Sequence, residues 1–394
     1  MQRLRAWFYL KNNKKRAAIL VLSFGLFFVL LYGVQFFLSP AYFMDEAVLV
    51  RGAERMQIAY LNQMRELGVE IDDSLWDADS RATEEELIAE INRGSRQFAE
   101  RLREDGTADY VFVCNVYQIG IRSFAGDNYY TAPLLAKEEL EQMMEYLEPE
   151  LVSGALPQKP GEMVMDENMA RNIGVSVGDT LYDRKTKLTG IIRYDTYFAA
   201  GIDYDDSVYP ERFLFLLDNG TIPDLKEYMA RFGIGAGTDK FSVVQIISDK
   251  VNAVKTVQKS KEDVEFPLRV MAYSVAIVLG ITVFFVYRLH VQDRYAEWCL
   301  YRSLGYPEKE VYLLAFREYA ICFGFSILLA VVLTVLLCVT GGLLMRARGM
   351  FFQYLLPGAL LQISGIAVLL TGIMQLPVVC AIRRVKTIDA MEEE

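Results

Sequence analysis

Four long apolar segments, one near the start and three crowded toward the end, constrain this chain more than any other feature. They lie at 17–38, 267–288, 320–344 and 355–382. The first holds 22 residues, and a helix of that length rises ~33 Å, enough to cross a hydrocarbon core of ~30 Å. It is longer than the ~7–15 residues of a signal-peptide core, so it reads as a retained span. Residues 39–266 have ordinary globular composition. The chain is therefore expected to be an α-helical membrane protein with four transmembrane helices in a one-plus-three arrangement. A mixed α/β extracytoplasmic domain is inserted between the first span and the second.

Basic residues orient the spans. Arg3, Arg5, Lys11, Lys14, Lys15 and Arg16 precede the first, with no acid among them. Arg288, Arg294, Arg302 and Lys309 follow the second, and Arg383, Arg384 and Lys386 follow the fourth. The positive-inside rule puts these regions and both termini in the cytoplasm, as an even number of spans requires. Arg346 and Arg348 run against the rule and are outvoted. Residues 39–266 hold 42 acidic and 24 basic side chains, so the overall net charge of −10 hides an acidic outer domain and a basic inner face. Such a domain is not built to bind nucleic acid or to lie on anionic lipid.

Local patterning divides the chain further. Residues 1–16 mix Leu4, Trp7, Phe8 and Leu10 with basic side chains, the pattern of an amphipathic segment at the inner interface. In 39–248, Thr83-Glu84-Glu85-Glu86 is a capping box that opens a helix carrying Leu87, Ile91, Phe98 and Leu102. Further helices are expected over Lys137–Leu147, ended by Pro149, over Asp166–Ile173, stopped by Gly174, and from Pro223 to Gly233. Tyr110–Val116, Lys187–Tyr194, Arg212–Leu217 and Phe241–Ile247 read as strands. Residues 249–266 read as a stalk helix entering the second span, with a kink at Pro267. The segment 289–319 is expected to be a cytoplasmic loop with a coupling helix, 345–354 a short outer loop, and 383–394 a cytoplasmic tail.

Several chemistries are unsupported. There is no G-x-x-x-x-G-K-[ST] phosphate loop, so the chain is not expected to be an ATPase of that kind itself. A single histidine, His290, at the membrane makes a zinc site or a Ser-His-Asp nucleophile elbow unexpected. Asp203, Asp205 and Asp206 lack the glycine turn and distal glutamate of an EF-hand and read as an acidic surface loop. No catalytic residue, resident metal or directly bound cofactor is expected. Cys114 is the one cysteine of the outer domain, so no internal disulfide can form there, which fits a bacterial surface. The deep parts of the spans carry no Asp, Lys or Arg, so nothing there could relay a proton.

Three stretches carry a resemblance. Gly154-Ala155-Leu156-Pro157, continuing to Gly161-Glu162-Met163-Val164-Met165 and then through Gly174 to Val177-Gly178-Asp179-Thr180, resembles a motif of MacB-type extracellular core domains. Tyr301-Arg302-Ser303-Leu304-Gly305-Tyr306-Pro307, with Phe316-Arg317-Glu318, is similar to the motif of FtsX-type permease domains. The basic exit from the last span, Arg383-Arg384-Val385-Lys386-Thr387-Ile388, is also similar, although Asp389 stands where that family usually has proline. The likeness covers nearly the whole chain except 45–135.

This resemblance implies a permease subunit of an ABC transporter of the FtsX/MacB kind. Such subunits pair as homo- or heterodimers in the membrane lipid and bind a cytoplasmic ATPase that holds ATP with magnesium. They transmit nucleotide-driven motion to the outer domain, exporting peptide, lipid or lipoprotein-type cargo; alternatively, they regulate an extracellular cell-wall hydrolase or signalling partner. Carried over by position, Arg302, Leu304, Gly305, Tyr306, Pro307, Glu308 and Glu318 would couple to the ATPase. Gly154, Leu156, Pro157, Gly161, Glu162, Gly178 and Asp179 form the outer-domain motif. From its own position, Glu318 either pairs with a basic residue of a neighbouring helix or reaches back to headgroup level.

Overall fold

The computed structural model describes residues 10–38, 46–72, 75, 83–123, 126–204, 209–351, 353 and 355–383. The N-terminal residues 1–9 and the tail 384–394, including the Asp389 departure, lie outside them. The chain divides into a membrane unit (Met1–Ser39, Val264–Leu343, Gln353–Glu394) and a sheet unit (Pro40–Asp263, Leu344–Phe352).

Helix α1 (Lys14–Leu38) is the first span, and the short α2 (Arg51–Arg55) leads into the sheet unit. Its strands are β1 (Met56–Leu61), β2 (Tyr110–Ser123), β3 (Gly126–Leu135), β4 (Glu150–Gly154) and β5 (Glu162–Asp166), followed by β6 (Lys187–Arg193), β7 (Ala199–Ile202), β8 (Phe213–Leu217), β9 (Ala236–Gly237) and β10 (Val244–Ser248). They form one mixed sheet in the order β4-β6-β5-β7-β3-β2-β8-β1-β10-β9. The long strand β2 joins its halves. Tyr110–Cys114 pair antiparallel with β8 on one edge, and Asn115–Ser123 pair with β3 on the other.

Helices cover the sheet. Residues of β1, β2 and β8 alternate between two faces, as the period of a strand demands. Ala59, Val111, Val113, Leu214 and Leu216 pack with α3 (Glu84–Asp105) through Phe98 and Leu102, while Ile58, Phe112, Phe215 and Leu217 pack with α4 (Lys137–Leu147) through Met143 and Leu147. Both capping-box bonds of α3 form: Thr83 Oγ1 accepts from the Glu86 N–H (3.3 Å) and the Glu86 carboxylate accepts from the Thr83 N–H (2.8 Å). Before Pro149 the α region is disfavoured, and Glu148 takes the left-handed conformation (φ 47°) that ends α4. Helix α5 (Glu167–Ile173) is capped by buried Asp166, which accepts from the N–H groups of Asn168 and Met169. Helix α6 (Leu225–Ala230) begins after its cap Asp224 rather than at Pro223, and is shorter than the pattern suggested.

The expected stalk, second span and start of the cytoplasmic loop are one element. Helix α7 runs from Lys250 to Ser303, 54 residues, with Pro267 inside it. At 1.5 Å per residue it is ~80 Å long. Proline removes one helical hydrogen bond and costs ~3 kcal/mol in a helix interior, but long flanking helix on each side carries α7 past it. Helix α8 (Glu308–Ala347) and α9 (Pro357–Arg383) complete the spans. The connection within 289–319 is four residues, 304–307, and the coupling helix expected after it is the start of α8, continuous through Val311, Leu314 and Ala315 with the third span.

In the membrane unit, Phe24 of α1 meets Tyr319 and Phe323 of α8 edge-on at 5.8 Å each and Tyr287 of α7 at 6.5 Å. Gln35 and Gln362 share a hydrogen bond of 3.0 Å between α1 and α9, which hides two polar groups from lipid. The short outer loop expected over 345–354 begins inside α8, which runs to Ala347, and its residues 349 and 351 pack within the sheet unit: Tyr197 Oη donates to the Gly349 carbonyl at 2.7 Å, and the Tyr197 and Phe351 rings lie 5.1 Å apart. Gly349 has φ 66°, and a Cβ there would stand 1.9 Å from the Asn168 carbonyl oxygen, so only glycine fits.

The sheet unit holds the start of α7 firmly. Asp249 caps the helix through the Asn252 N–H (2.8 Å), and Lys250 Nζ lies 2.6 Å from Asp218 Oδ2. Asp218 has no solvent exposure and also accepts from Gln57 Nε2 (3.3 Å) and the Ile222 N–H (2.8 Å). Replacing Lys250 by alanine strands this buried carboxylate. The Lys250→Ala chain is expected to lose about 3 kcal/mol of stability in the sheet unit, read as faster amide exchange over 249–260 and a lower unfolding midpoint.

Candidate functional site

The turn between α7 and α8 ends one long helix and starts another within four residues. Gly305 takes φ 84°. Its N–H donates to the Arg302 carbonyl (3.0 Å) and the Tyr306 N–H donates to the Tyr301 carbonyl (3.1 Å). These are the two bonds of a Schellman motif, whose accompanying side-chain contact is also present: the Tyr301 and Tyr306 rings meet edge-on at 6.0 Å. Arg302 Nη1 donates to the Tyr306 carbonyl at 3.0 Å, fastening the turn from outside. Pro307 follows as the residue just before α8, and its carbonyl accepts from the Glu310 N–H (3.0 Å). Glu308 and Glu310 stand in the first turn of α8, where negative charge is favoured. Leu304, 60% exposed, projects beside exposed Pro307 and Glu308. Arg302, Leu304, Gly305, Tyr306, Pro307 and Glu308 thus form one rigid, exposed knuckle.

Glu318 belongs to a different layer. It is buried, and the Arg294 guanidinium clasps it with Nε at 3.1 Å from Oε2 and Nη2 at 2.5 Å from Oε1. Of the two positions open to it, pairing is the one adopted. Arg294 also pairs with Glu297 one turn along α7. Arg294 had counted only as a cytoplasmic charge for orientation; it is 1% exposed and locks α7 to α8. Its signal was legible in spacing: His290, Arg294 and Trp298 recur every four residues on one face of α7, and all three are buried.

The outer-domain motif folds into turns of the sheet unit. Gly154 (φ 78°) sits against β6, where a Cβ would come 2.1 Å from the Thr189 carbonyl oxygen. The Glu162 carboxylate accepts from the N–H groups of Gln158 (2.8 Å) and Lys159 (3.1 Å), closing the segment between Pro157 and Gly161. Asp179 accepts from the Ser176 N–H (2.9 Å), and the Gly178 N–H donates to the Leu188 carbonyl (2.7 Å). Leu156 packs on the core beside α4 and Pro157 is buried. These residues shape backbone and lie on a unit distinct from the knuckle. Gly174-Val175-Ser176-Val177-Gly178 spells G-x-S-x-G, but it follows helix α5 into a turn instead of linking a strand to a helix, so it is no nucleophile elbow. Among the described residues no cluster of three metal-ligating side chains occurs.

Among the described residues four helices are long and apolar enough to span a membrane, and the second and third carry the knuckle and its clasp. Residues 269–390 match the FtsX-like permease C-terminal family. The match takes in the knuckle, the Arg294–Glu318 pair and both later spans, a little under a third of the chain. Among solved structures, the periplasmic region of MacB from Actinobacillus actinomycetemcomitans aligns at 10% identity with a TM-score of 0.29, covering 53% of this chain and 95% of that one. The extracellular domain of the noncanonic ABC-type transporter YknZ from Gram-positive bacteria aligns at 10% identity with a TM-score of 0.25, covering 49% and 99%. No curated protein matches the sequence.

Two outcomes follow for this FtsX-like module. Gly305→Ala forces a side chain into left-handed backbone and is expected to cost about 1–2 kcal/mol, visible as faster amide exchange at 300–306. Glu318→Gln removes the buried carboxylate of the Arg294 clasp, keeping only the half-exposed Glu297 pair, and is expected to lower the unfolding temperature of the detergent-solubilised chain clearly. The double replacement Arg294→Met with Glu318→Leu restores most of the loss, since an apolar pair can substitute for a buried ionic one.

Proposed function

We propose that this chain is the permease subunit of an ATP-driven ABC system and works as a lever. The observation that carries the reading is the continuity of α7. One helix starts at a capped, ion-paired anchor in the sheet unit and ends, 54 residues on, at the knuckle of the FtsX-like module. A partner ATPase, binding ATP with magnesium, grips the knuckle from the cytoplasm, and its closure displaces the end of α7. A rod with one end displaced must move at the other, so the sheet unit is reshaped on the far side of the bilayer. The subunit pairs with a second permease, identical or related, so that two knuckles face two ATPase copies. The chain sits in a bacterial plasma membrane with both termini inside and the sheet unit outside, and it expels peptide, lipid or lipoprotein-type cargo.

The spans support movement over conduction. Their middle portions expose Ile277, Val278, Ile281, Leu328, Val332 and Val335, side chains suited to lipid or to a partner span and not to a hydrophilic path. The arginine and the glutamate of α7 and α8 neutralise one another instead of lining a route.

The test is turnover of the cognate ABC ATPase, identified by co-purification with this chain and co-reconstituted with it in lipid nanodiscs. ATP hydrolysis is expected to rise on assembly, and Gly305→Val with Pro307→Ala is expected to abolish at least about nine-tenths of that rise, on the order of 1.4 kcal/mol of coupling. Full assembly and unchanged turnover in this variant would remove the knuckle from the mechanism.

A further inference from the structure

The sheet unit contains a cleft that the lever mechanism does not use. It opens where β2 changes partners. Cys114 is the last residue of β2 paired with β8, through Phe213; from Asn115 onward the ladder is with β3, on the opposite edge. On its β8 side β2 therefore has no strand neighbour beyond Cys114 among the described residues. A cavity of about 530 Å³ fills the gap, within the ~300–1,000 Å³ range of ligand sites.

Its walls are aromatic and its polar groups acidic. Tyr60, Tyr117, Tyr204, Tyr209 and Phe213 line it, with Tyr60 and Phe213 edge-on at 4.9 Å. Asp203, expected as part of a surface loop, is half-buried here: Oδ2 accepts from Asn115 Nδ2 (2.9 Å) and Oδ1 from the Tyr204 N–H (2.8 Å). Asp183 accepts from the Tyr204 hydroxyl (3.0 Å), the Thr186 hydroxyl and the Lys185 N–H (3.0 Å). Desolvation opposes the charge on Asp183, but hydrogen bonds from Thr186, the Lys185 N–H and Tyr204 outweigh it and hold the carboxyl below its usual range. Burial pushes Asp203 up, against the hydrogen bonds from Asn115 and the Tyr204 N–H, and a cation beside it would act in the same sense as those bonds. Neither carboxylate has a lysine or arginine partner among the described residues, and Lys185, which also lines the cleft, pairs with neither.

We propose that this cleft binds an extended peptide segment carrying lysine or arginine next to a bulky apolar residue. Each part of the site answers one part of such a ligand. The carboxylates attract its cation, and the tyrosine faces hold a cation or an apolar side chain. Among the described residues no strand pairs with the β8 side of β2 beyond Cys114, and that edge offers backbone groups to an extended chain, as in strand addition. The net negative charge of residues 39–266 draws a basic peptide toward the unit. A bare metal ion is a poor occupant, since no three-carboxylate or imidazole cluster is present among the described residues. The assignment deepens the export reading by naming a cargo or signal class, yet the binding it describes needs no ATPase.

Binding is measured by calorimetric titration on the full-length chain in phosphatidylcholine nanodiscs, with no ATPase present, so that failure here is separable from failure of the lever. The probe is an acetylated, amidated hexapeptide alternating lysine and phenylalanine; controls are its glutamate-for-lysine counterpart and spermine. One site per chain is expected, with the glutamate peptide and spermine each at least about tenfold weaker. Asp203→Asn is expected to weaken the probe about five- to tenfold. Tyr209→Ala, at a position 72% exposed, is expected to weaken it about threefold. Equal binding of both peptides, equal binding of spermine, or affinity untouched by Asp203→Asn and Tyr209→Ala would overturn the assignment.

Discussion

A backbone crossing hydrocarbon must satisfy its own hydrogen bonds, and a helix is the one open-chain way to do so. Everything distinctive about this chain follows from where that obligation is extended past the bilayer. Helix α7 does not stop at the membrane boundary on either side. It begins at Asp249 and Lys250, in the sheet unit, and runs to Ser303. A helix resists bending far better than a loop, so a single element carries both the anchor beside Asp218 and the knuckle at Gly305. Pro267 weakens one turn without ending the rod.

The two ends of α7 are fixed by different physics. At the start a buried carboxylate finds a lysine ammonium and two further donors, an arrangement costly to dismantle from one side. Near the far end, the Arg294–Glu318 clasp ties α7 to α8, and the left-handed glycine turns the chain through the Schellman bonds. Between these lies a stretch whose exposed face is apolar, with Ile277, Val278, Ile281 and Phe285 among its exposed side chains. The cleft beside β2 lies within the same compact unit as the anchor.

Much of this was legible in the sequence because the relevant forces are local. Spans announce themselves by length and hydropathy, and the Thr83 box, the Gly174 stop and the strand at Tyr110 all rest on neighbouring residues. The boundaries of α7 were not legible. Pro267 and the charges at Arg288 and Arg294 look like ends of segments, and only tertiary pairing shows that Arg294 is buried and the helix continuous. Strands β3, β4, β5 and β7 escaped notice because their alternation is short or broken by Gly126, Pro133 and Gly201. The knuckle was found from its motif, but the role of each residue came from geometry: Gly305 supplies a conformation, Tyr306 a contact, and Glu318 a clasp one layer deeper. Asp203 read as solvated because its partner Asn115 is distant in sequence.

The account stands on α7 being one mechanical element. Peptide-resolved amide hydrogen exchange of the full chain in nanodiscs addresses this directly. Protection that continues without a gap from about Ala253 through Leu300, with the turns on both sides of Pro267 opening together, is the predicted result. A fast-exchanging break near Pro267, separating a stalk that opens independently of the span, would contradict it.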